Sequence, residues 1–453
     1  MLSLPNDGRY PALEPVAEQR RQKTLAALGV QLENLARSGP VLQICEDAHW
    51  ADPTSVEAFG RSVNWVRTRR VLLIATSRPE FEAPWVGQPH VTALALNRLG
   101  HREVGTMIDH VVGNKPLPEH VRRDIIERTD GIPLFVEEMT RAVLEAAGEL
   151  ETIRTAATVP SPALPVPASL HASLMARLDR LGPAKELAQV GAAIGREFSH
   201  ALLAAVLRKP EPELASSLDR LIGAGLLFRK GVSPQATYSF KHALVQDAAY
   251  GTLLRRPRRA LHARIADTIE RQFAEIAEGQ PDLLARHYTE AGLIDKAATL
   301  WGKAALRSLE RSALFEAVEQ LTRALGQIAT LPSTPALRRE EIELQVALIY
   351  PLMHVKGLAA PESKTAAERA RLLIEQAEAL GEPPEDPLLL FSALHALSVA
   401  DTLGGDVAGE RAAQMLALAE KQGGKVPLML GHRAMTVALV PTGSFAEALV
   451  HAS

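Results

Sequence analysis

Leucine spacing sets the architecture of this 453-residue chain. Leu25, Leu28, Leu32 and Leu35 recur at steps of three and four, which puts them on one stripe of a helix running from Val16 to Ala36. The same spacing returns at Leu170, Leu174, Leu178 and Leu181, and from Arg258 onward almost every segment reads as helix. Hydrophobic residues make up 47% of the chain but aromatics only 4%, so its cores must be built from Leu, Ala, Val and Ile. Such a composition favours helices over β-sandwiches. At this length two to four domains are expected.

Two short apolar runs break the helical pattern. Gly39-Pro40 stops the first helix, and Val41–Cys45 follows and ends in Glu46-Asp47. After a second helical stretch comes Val71–Ala75, ending in Thr76-Ser77-Arg78-Pro79. Apolar runs of this length alternating with helices predict buried parallel strands in an α/β layer. Beyond Leu99 the helices resume. Pro118 suits the first turn of a helix carrying Val121 and Ile125, Asp130-Gly131 ends it, and Pro133 opens the next, with Met139, Val143 and Leu144. Glu149 to Pro167 is predicted as a linker, since prolines 160, 162, 165 and 167 exclude regular helix and sheet. Helices then continue to about Ile222. Two short strands, residues 225–229 and 237–240, follow around a Gly/Ser/Pro turn, which gives a winged-helix order.

In the last third, Gly292–Ala297 and Ser312–Ala317 are similar turn-then-helix segments. Gly405–Ala408 and Gly443–Ala446 form another similar pair, 38 residues apart. Small residues at near-regular spacing suggest an α-solenoid of the tetratricopeptide type, with an irregular helical bundle as the plainer alternative. A solenoid helix cannot bury its face alone, so the end at Ser453 reads as cut.

The bulk properties narrow the function classes. A formal net charge of −3 does not suit a generally nucleic-acid-coating protein, although a local basic patch is compatible with it. The single cysteine, Cys45, excludes an internal disulfide and a cysteine-based zinc site. The N-terminus has no basic stretch followed by an apolar core, and no uninterrupted apolar run reaches the ~20 residues of a membrane helix. A soluble cytoplasmic chain is the expectation.

The stretch VLQICEDAHWADPTS carries the chemistry. Carboxylates at the C-terminal end of a buried strand stand where open α/β sheets bind ligands. Taken alone, Glu46 and Asp47 read more readily as a strand end followed by a solvated acidic turn than as a metal site. The whole string, however, resembles the Walker B region of STAND signal-transduction ATPases, the AAA-like ATPases fused to bacterial class III adenylate cyclases or to LuxR-type regulators. Glu46, Asp47, His49, Trp50, Asp52 and Pro53 all fit that pattern. VLLIATSRPEF resembles the family's next strand and sensor motif, RTDGIPLFVEEMTRAVLE its glycine-x-proline motif, and FKHALVQDAAYGTLL its F-x-H-x-L segment with a downstream tyrosine.

The resemblance implies roles. Glu46 and Asp47 would serve Mg²⁺ and the attacking water of ATP hydrolysis, as catalytic and metal-binding residues. Thr76 or Ser77 would read the γ-phosphate or the attacking water through a hydroxyl, Arg78 would place a fixed positive charge near the nucleotide and sense its state, Gly131 and Pro133 would lie near the adenine, and His242 would contact the β-phosphate of ADP. Each has a plain structural reading beside it: a surface ion pair for Arg78, a helix stop and start for Gly131-Ile132-Pro133, a satisfied junction residue for His242. Glu137 and Glu138 read as a favourable helix start.

The loop that such an ATPase needs is missing. No GxxxxGK[ST] string occurs; Gly302-Lys303 is followed by Ala304, and Gly424-Lys425 by Val426. Only 40 residues precede Val41, without a Gly-rich turn, so the first βα units and any cyclase domain are expected to be absent. Losing several charge-assisted phosphate contacts at ~1.5–3 kcal/mol each weakens nucleotide binding by several powers of ten.

The expected fold class is therefore mainly α, with a partial α/β remnant of a P-loop NTPase-like core, then a small helical domain, a winged helix and a TPR-like α-solenoid. The expected boundaries are 1–100 for the C-terminal part of the α/β core, 101–150 for the helical subdomain, 151–168 for the Pro-rich linker, 169–256 for the winged helix and 257–453 for the repeats. The first functional reading is a piece of a nucleotide-switch ATPase, truncated at both ends. Its cofactors would be ATP/ADP and Mg²⁺ in the intact family, with none bound tightly by this chain. Its repeats would bind a protein partner, and its effector would be an adenylate cyclase or DNA-binding domain elsewhere. The second is a non-enzymatic TPR-like scaffold. The third is a winged-helix DNA-binding regulator using Arg255, Arg256, Arg258, Arg259 and Arg264. This is the least favoured, because no base-reading polar residues stand beside those arginines. No membrane partner is expected.

Overall fold

The computed structural model describes residues 17–113, 117–154, 169–386, 388–404 and 409–452. The chain is mainly helical with two small sheets, as its composition implies. It divides into two compact units. One combines residues 1–93, 278–289 and 293–453; the other combines 94–277 and 290–292.

The first unit begins with α1 (Ala17–Ser38), β1 (Val41–Cys45), α2 (Pro53–Trp65) and β2 (Val71–Ala75). The strands are parallel and in register from Val41 opposite Val71 to Cys45 opposite Ala75. One face of the pair is covered. Cys45, Leu73 and Ala75 pack on Ala48, Phe59, Val63 and Trp85, the last from a segment without regular structure that sequence pattern did not mark as core. The other face is open: Leu42, Ile44, Leu72 and Ile74 are 42–61% exposed. The expectation of strands buried on both sides therefore holds for one side only.

The second unit carries α3 (His101–Val112), α4 (Glu119–Thr129) and α5 (Pro133–Arg154). Val104, Ile108, Val121, Ile125, Val136, Met139 and Val143 form their shared core. Pro118 caps α4 rather than sitting inside it. Helix α5 continues through Glu149 to Arg154, so residues 149–154 are helix rather than the predicted linker; prolines 160, 162, 165 and 167 lie outside the described residues. Then come α6 (Leu170–Arg180), α7 (Pro183–Ile194), β3 (Glu197–Ser199), α8 (His200–Leu207), α9 (Glu211–Gly223), β4 (Leu227–Lys230), β5 (Thr237–Phe240), α10 (Ala243–Gly251), α11 (Arg255–Gln272) and α12 (Ala274–Gly279). The sheet has three antiparallel strands in the order β3-β5-β4 rather than the predicted two. Helices α6–α9 and this sheet give the predicted helix-then-ribbon order. Across it Phe198 stacks on Tyr238 and meets Phe240 at a tilt.

Helices α5 and α6 are locked by a buried ion pair. Arg177 and Glu138 are 2% and 1% exposed and bonded to each other, and Arg177 also reaches Glu145 and the carbonyl of Ala224. Glu138 is thus an interior anchor, not a favourable charge at a helix start.

The first unit resumes with α13 (Pro281–Ala291), α14 (Ile294–Glu310), α15 (Leu314–Ile328), α16 (Pro335–Lys356), α17 (Pro361–Ala379), α18 (Leu388–Gly404), α19 (Gly409–Gln422), α20 (Lys425–Leu439) and α21 (Phe445–Ala452). From α14 onward each helix packs on the next, and α14, α16, α18 and α20 also touch one another in series. That is the packing of a helical repeat array. The turns that sequence similarity grouped share one geometry. Gly292, Ser312 and Gly443 have φ of 76°, 57° and 81°, and each stands two residues before a helix begins. Gly405–Ala408, the remaining member of that set, lies outside the described residues. Small side chains let the helices approach: Ala297, Ala304, Ala305, Ala317 and Ala324 are buried at their crossings. Helix α15 also rests on α2, where Thr54 Oγ1 donates to Glu316 Oε2 at 3.3 Å. No helix among the described residues is long and apolar enough to cross a membrane.

Candidate functional site

In the first unit, the C-terminal ends of β1 and β2 are tied together beyond their ladder. Thr76 N–H donates to Cys45 O at 2.9 Å, and Ala48 N–H donates to Thr76 O at 2.8 Å. Asp47 takes a left-handed turn, φ 53° and ψ 46°, a conformation that aspartate tolerates better than most residues. Its N–H donates to Thr76 Oγ1 at 2.9 Å. The Thr76 hydroxyl keeps its own hydrogen for another acceptor.

The turn then runs through a single 3-10 turn, Ala48–Trp50, into α2. Asp52 caps that helix, accepting from Ser55 N–H at 2.8 Å and Ser55 Oγ at 2.6 Å. Arg78 lies over the Trp50 ring, 5.6 Å from its centroid. Glu46, Asp47, Thr76, Ser77 and Arg78 therefore cluster at one end of the strand pair, with Glu46, Ser77 and Arg78 exposed. His49, packed against Trp50 with ring centroids 4.7 Å apart, has both ring nitrogens buried without a hydrogen-bond partner among the described residues. Sequence reading gave His49 only a place in a motif. Its missing partners were invisible there, because only the fold shows what surrounds the ring.

The donor set tests the expected metal. Two adjacent carboxylates, Glu46 and Asp47, suit Mg²⁺ already held on phosphates, which keeps most of its waters and takes one or two protein ligands. They do not make a cage that holds the ion unaided, and among the described residues no group of three or more His, Cys, Asp or Glu converges on them.

Asp52 and Glu316 face each other across the α2–α15 contact. Burial pushes the Glu316 carboxyl up, and the neighbouring Asp52 adds to the rise. Burial also acts on Asp52, but the Ser55 hydroxyl and amide hold it below its ordinary range. The proton of the pair therefore resides on Glu316.

The remaining candidates belong to the second unit. Gly131 has φ 69°, and a Cβ built there would lie 2.2 Å from Leu99 O. Leu99 N–H in turn donates to Gly131 O at 2.8 Å. Backbone approach accounts for this glycine without a ligand. Pro133 is the first residue of α5. One turn on, Glu137 accepts from Lys241 Nζ at 2.7 Å, which links the helix of Pro133 to the residue before His242. His242 is the N-cap of α10 but makes no side-chain cap, and its Nε2 is buried without a partner among the described residues. Burial, then the charge of Lys241, push its ring below the ordinary histidine range, so it is neutral at pH 7. Tyr250, the motif's downstream tyrosine, bonds His262 Nε2 at 2.9 Å.

The basic cluster is partly engaged inside the unit. Arg258 stacks on Tyr250 at 4.4 Å and donates to Leu253 O at 3.0 Å, and Arg259 Nε donates to Ala291 O at 3.3 Å.

No family model matches the chain. Residues of the chain align with an uncharacterized protein of Rhizobium meliloti (strain 1021) at 33% identity over 330 residues, covering 70% of this chain and 31% of that protein. The chain thus spans about a third of the length of the curated relative it matches. Among solved structures, a Signal Transduction ATPase with Numerous Domains (STAND) protein with a tetratricopeptide repeat sensor, from Pyrococcus horikoshii, aligns over 95% of this chain and 70% of its own. The TM-score is 0.39 and the sequence identity 12%.

Proposed function

We propose that this chain is the sensing part of a STAND-type nucleotide-switch protein. In this reading its helical repeats bind a signal or a protein partner, while its two-stranded α/β element is one wall of a nucleotide site that does not turn over ATP unaided. The observation that carries the reading is the strand-end cluster. A parallel pair closed by the Asp47 N–H to Thr76 Oγ1 bond gathers two carboxylates, two hydroxyls and a guanidinium at its C-terminal end. Open α/β sheets bind ligands at that end. The repeat array on the same unit supplies a surface for a partner.

The cluster lacks what dominates phosphate binding. A nest of backbone N–H groups, a lysine and a metal-binding hydroxyl come from a P-loop, and the sequence has none. His242 and Pro133 would belong to the closing elements of the intact switch, and an effector domain would read its state. Titration calorimetry with Mg-ATP and with ADP, together with a phosphate-release assay, tests this. The expected result is no saturable heat at millimolar nucleotide and no phosphate above the blank. A turnover that vanishes in Asp47→Ala refutes it.

A further inference from the structure

The inner layer of the repeats holds a cavity of about 930 Å³ between α16, α18 and α20, all within the first unit. Its volume falls at the upper end of the ~300–1,000 Å³ typical of small-molecule sites. Thirteen of its lining residues are apolar, among them Ile349, Met353, Phe391, Val399 and Leu430. No Asp, Glu, Lys, Asn or Gln lines it.

Of the seven polar residues in the lining, three are bonded to their own helices. Ser392 Oγ donates to Leu388 O at 2.8 Å, Thr402 Oγ1 to Ser398 O at 2.8 Å, and His354 Nδ1 bonds Tyr350 O at 2.9 Å. An extended peptide laid in this groove would bury backbone N–H and C=O groups against a lining of thirteen apolar residues, with few side chains to pair them, which is costly. An alkyl or aryl body has no such groups. The charge is one-sided as well. Arg433 lines the cavity and has no ion-pair partner among the described residues. His395 beside it is pushed below the ordinary histidine range, by burial first and then by Arg433, and Arg433 is the one Asp, Glu, Lys or Arg in the lining.

We propose that this groove binds an amphiphilic monoanion, an apolar chain or ring system ending in one carboxylate, with the chain along α16 and α18 and the carboxylate on Arg433. This names the ligand class of the sensing layer and so rests on the function proposed above.

The test is calorimetric titration of the full chain with dodecanoate below its micelle concentration, beside dodecanol, dodecyltrimethylammonium and an acidic amphipathic helical peptide. Dodecanoate is expected to bind saturably with one site, and the cation not at all. Each methylene buried is worth about a fourfold gain, so decanoate, two methylenes shorter, should bind roughly fifteenfold more weakly. Arg433→Gln, on an exposed helix position, should weaken dodecanoate roughly tenfold while leaving dodecanol unchanged, and Arg433→Lys should restore most of the difference. Val399→Trp, which fills the groove, should remove both. No saturable dodecanoate binding, or equal affinity in wild type and Arg433→Gln, overturns the proposal. Binding of the peptide alone also overturns it but leaves the sensing function standing, whereas ATP turnover would sink that function without touching the groove.

Discussion

Replacing Gly131 with alanine separates a glycine required by the backbone from one required by a nucleotide. Alanine at φ 69° carries a left-handed penalty of ~1 kcal/mol. The added Cβ would also sit 2.2 Å from Leu99 O, so the two backbones must part. That breaks the 2.8 Å bond from Leu99 N–H to Gly131 O, about 1 kcal/mol more, and opens the packing beneath it by a similar amount. The sum is about 3 kcal/mol. Gly225 is the internal control, since its φ is 67° and nothing lies within 4 Å of its Cβ position, which leaves only the ~1 kcal/mol of strain. Native-state hydrogen exchange reads the two locally. Amides of α4 and the first turns of α5 should exchange roughly a hundredfold faster in Gly131→Ala. Those in the last turn of α9 should speed up about fivefold in Gly225→Ala. Equal, few-fold effects at both sites would show that the approach of Leu99 does not govern Gly131, and the ligand role would regain its force.

The other expectations concern charges. Glu138→Gln leaves Arg177 buried beside a neutral partner and should cost about 3 kcal/mol of unfolding free energy, measured by urea denaturation. Glu138→Leu with Arg177→Met should recover most of it, because a buried pair is expensive to break but replaceable as a unit. Asp52→Ala removes the cap of α2 and should cost about 1 kcal/mol, read from the same denaturation curves. Glu316 has a folded value raised above its ordinary 4.5, so the folded chain holds a proton there that the unfolded chain has already lost. Stability from that proton is present at low pH and is lost as pH rises through the raised value. Glu316→Gln should therefore unfold at a higher temperature than wild type at pH 7, with the gap closing toward pH 4; a gap that widens in acid would contradict the assignment.

The strands were readable because Gly39-Pro40 and the polar runs after Cys45 and Ala75 bracket them, and their parallel pairing follows from the helix between them. Their exposure was not readable. Leu42, Ile44, Leu72 and Ile74 spell the interior of a layered sheet, and composition records the cover a strand is written for rather than the cover it has. Strand β3 escaped notice because three residues have no period; Phe198 joins the sheet through its pairing with Tyr238. The Glu138–Arg177 pair was hidden by sequence distance, since a charged residue read singly looks solvated. At the strand ends, the cluster of Glu46, Asp47, Thr76, Ser77 and Arg78 follows from the parallel register, so motif spacing sufficed to find it. The bond that pins Asp47 to Thr76 needed coordinates. The groove was the least legible feature. Leu388, Phe391, His395, Val399 and Thr402 form a stripe at helical spacing, indistinguishable from core until α16 and α20 are set on either side.

Because each repeat helix leans chiefly on its neighbours in the series, the array from α14 to α20 behaves mechanically like a stack of plates rather than a solid block. In such a stack a small rotation between α16 and α18 would add to the tilt of every plate beyond it. Anything wedged among three alternate helices would thus be registered as a change of curvature along the stack, and small-angle scattering would read it as a shift in the radius of gyration.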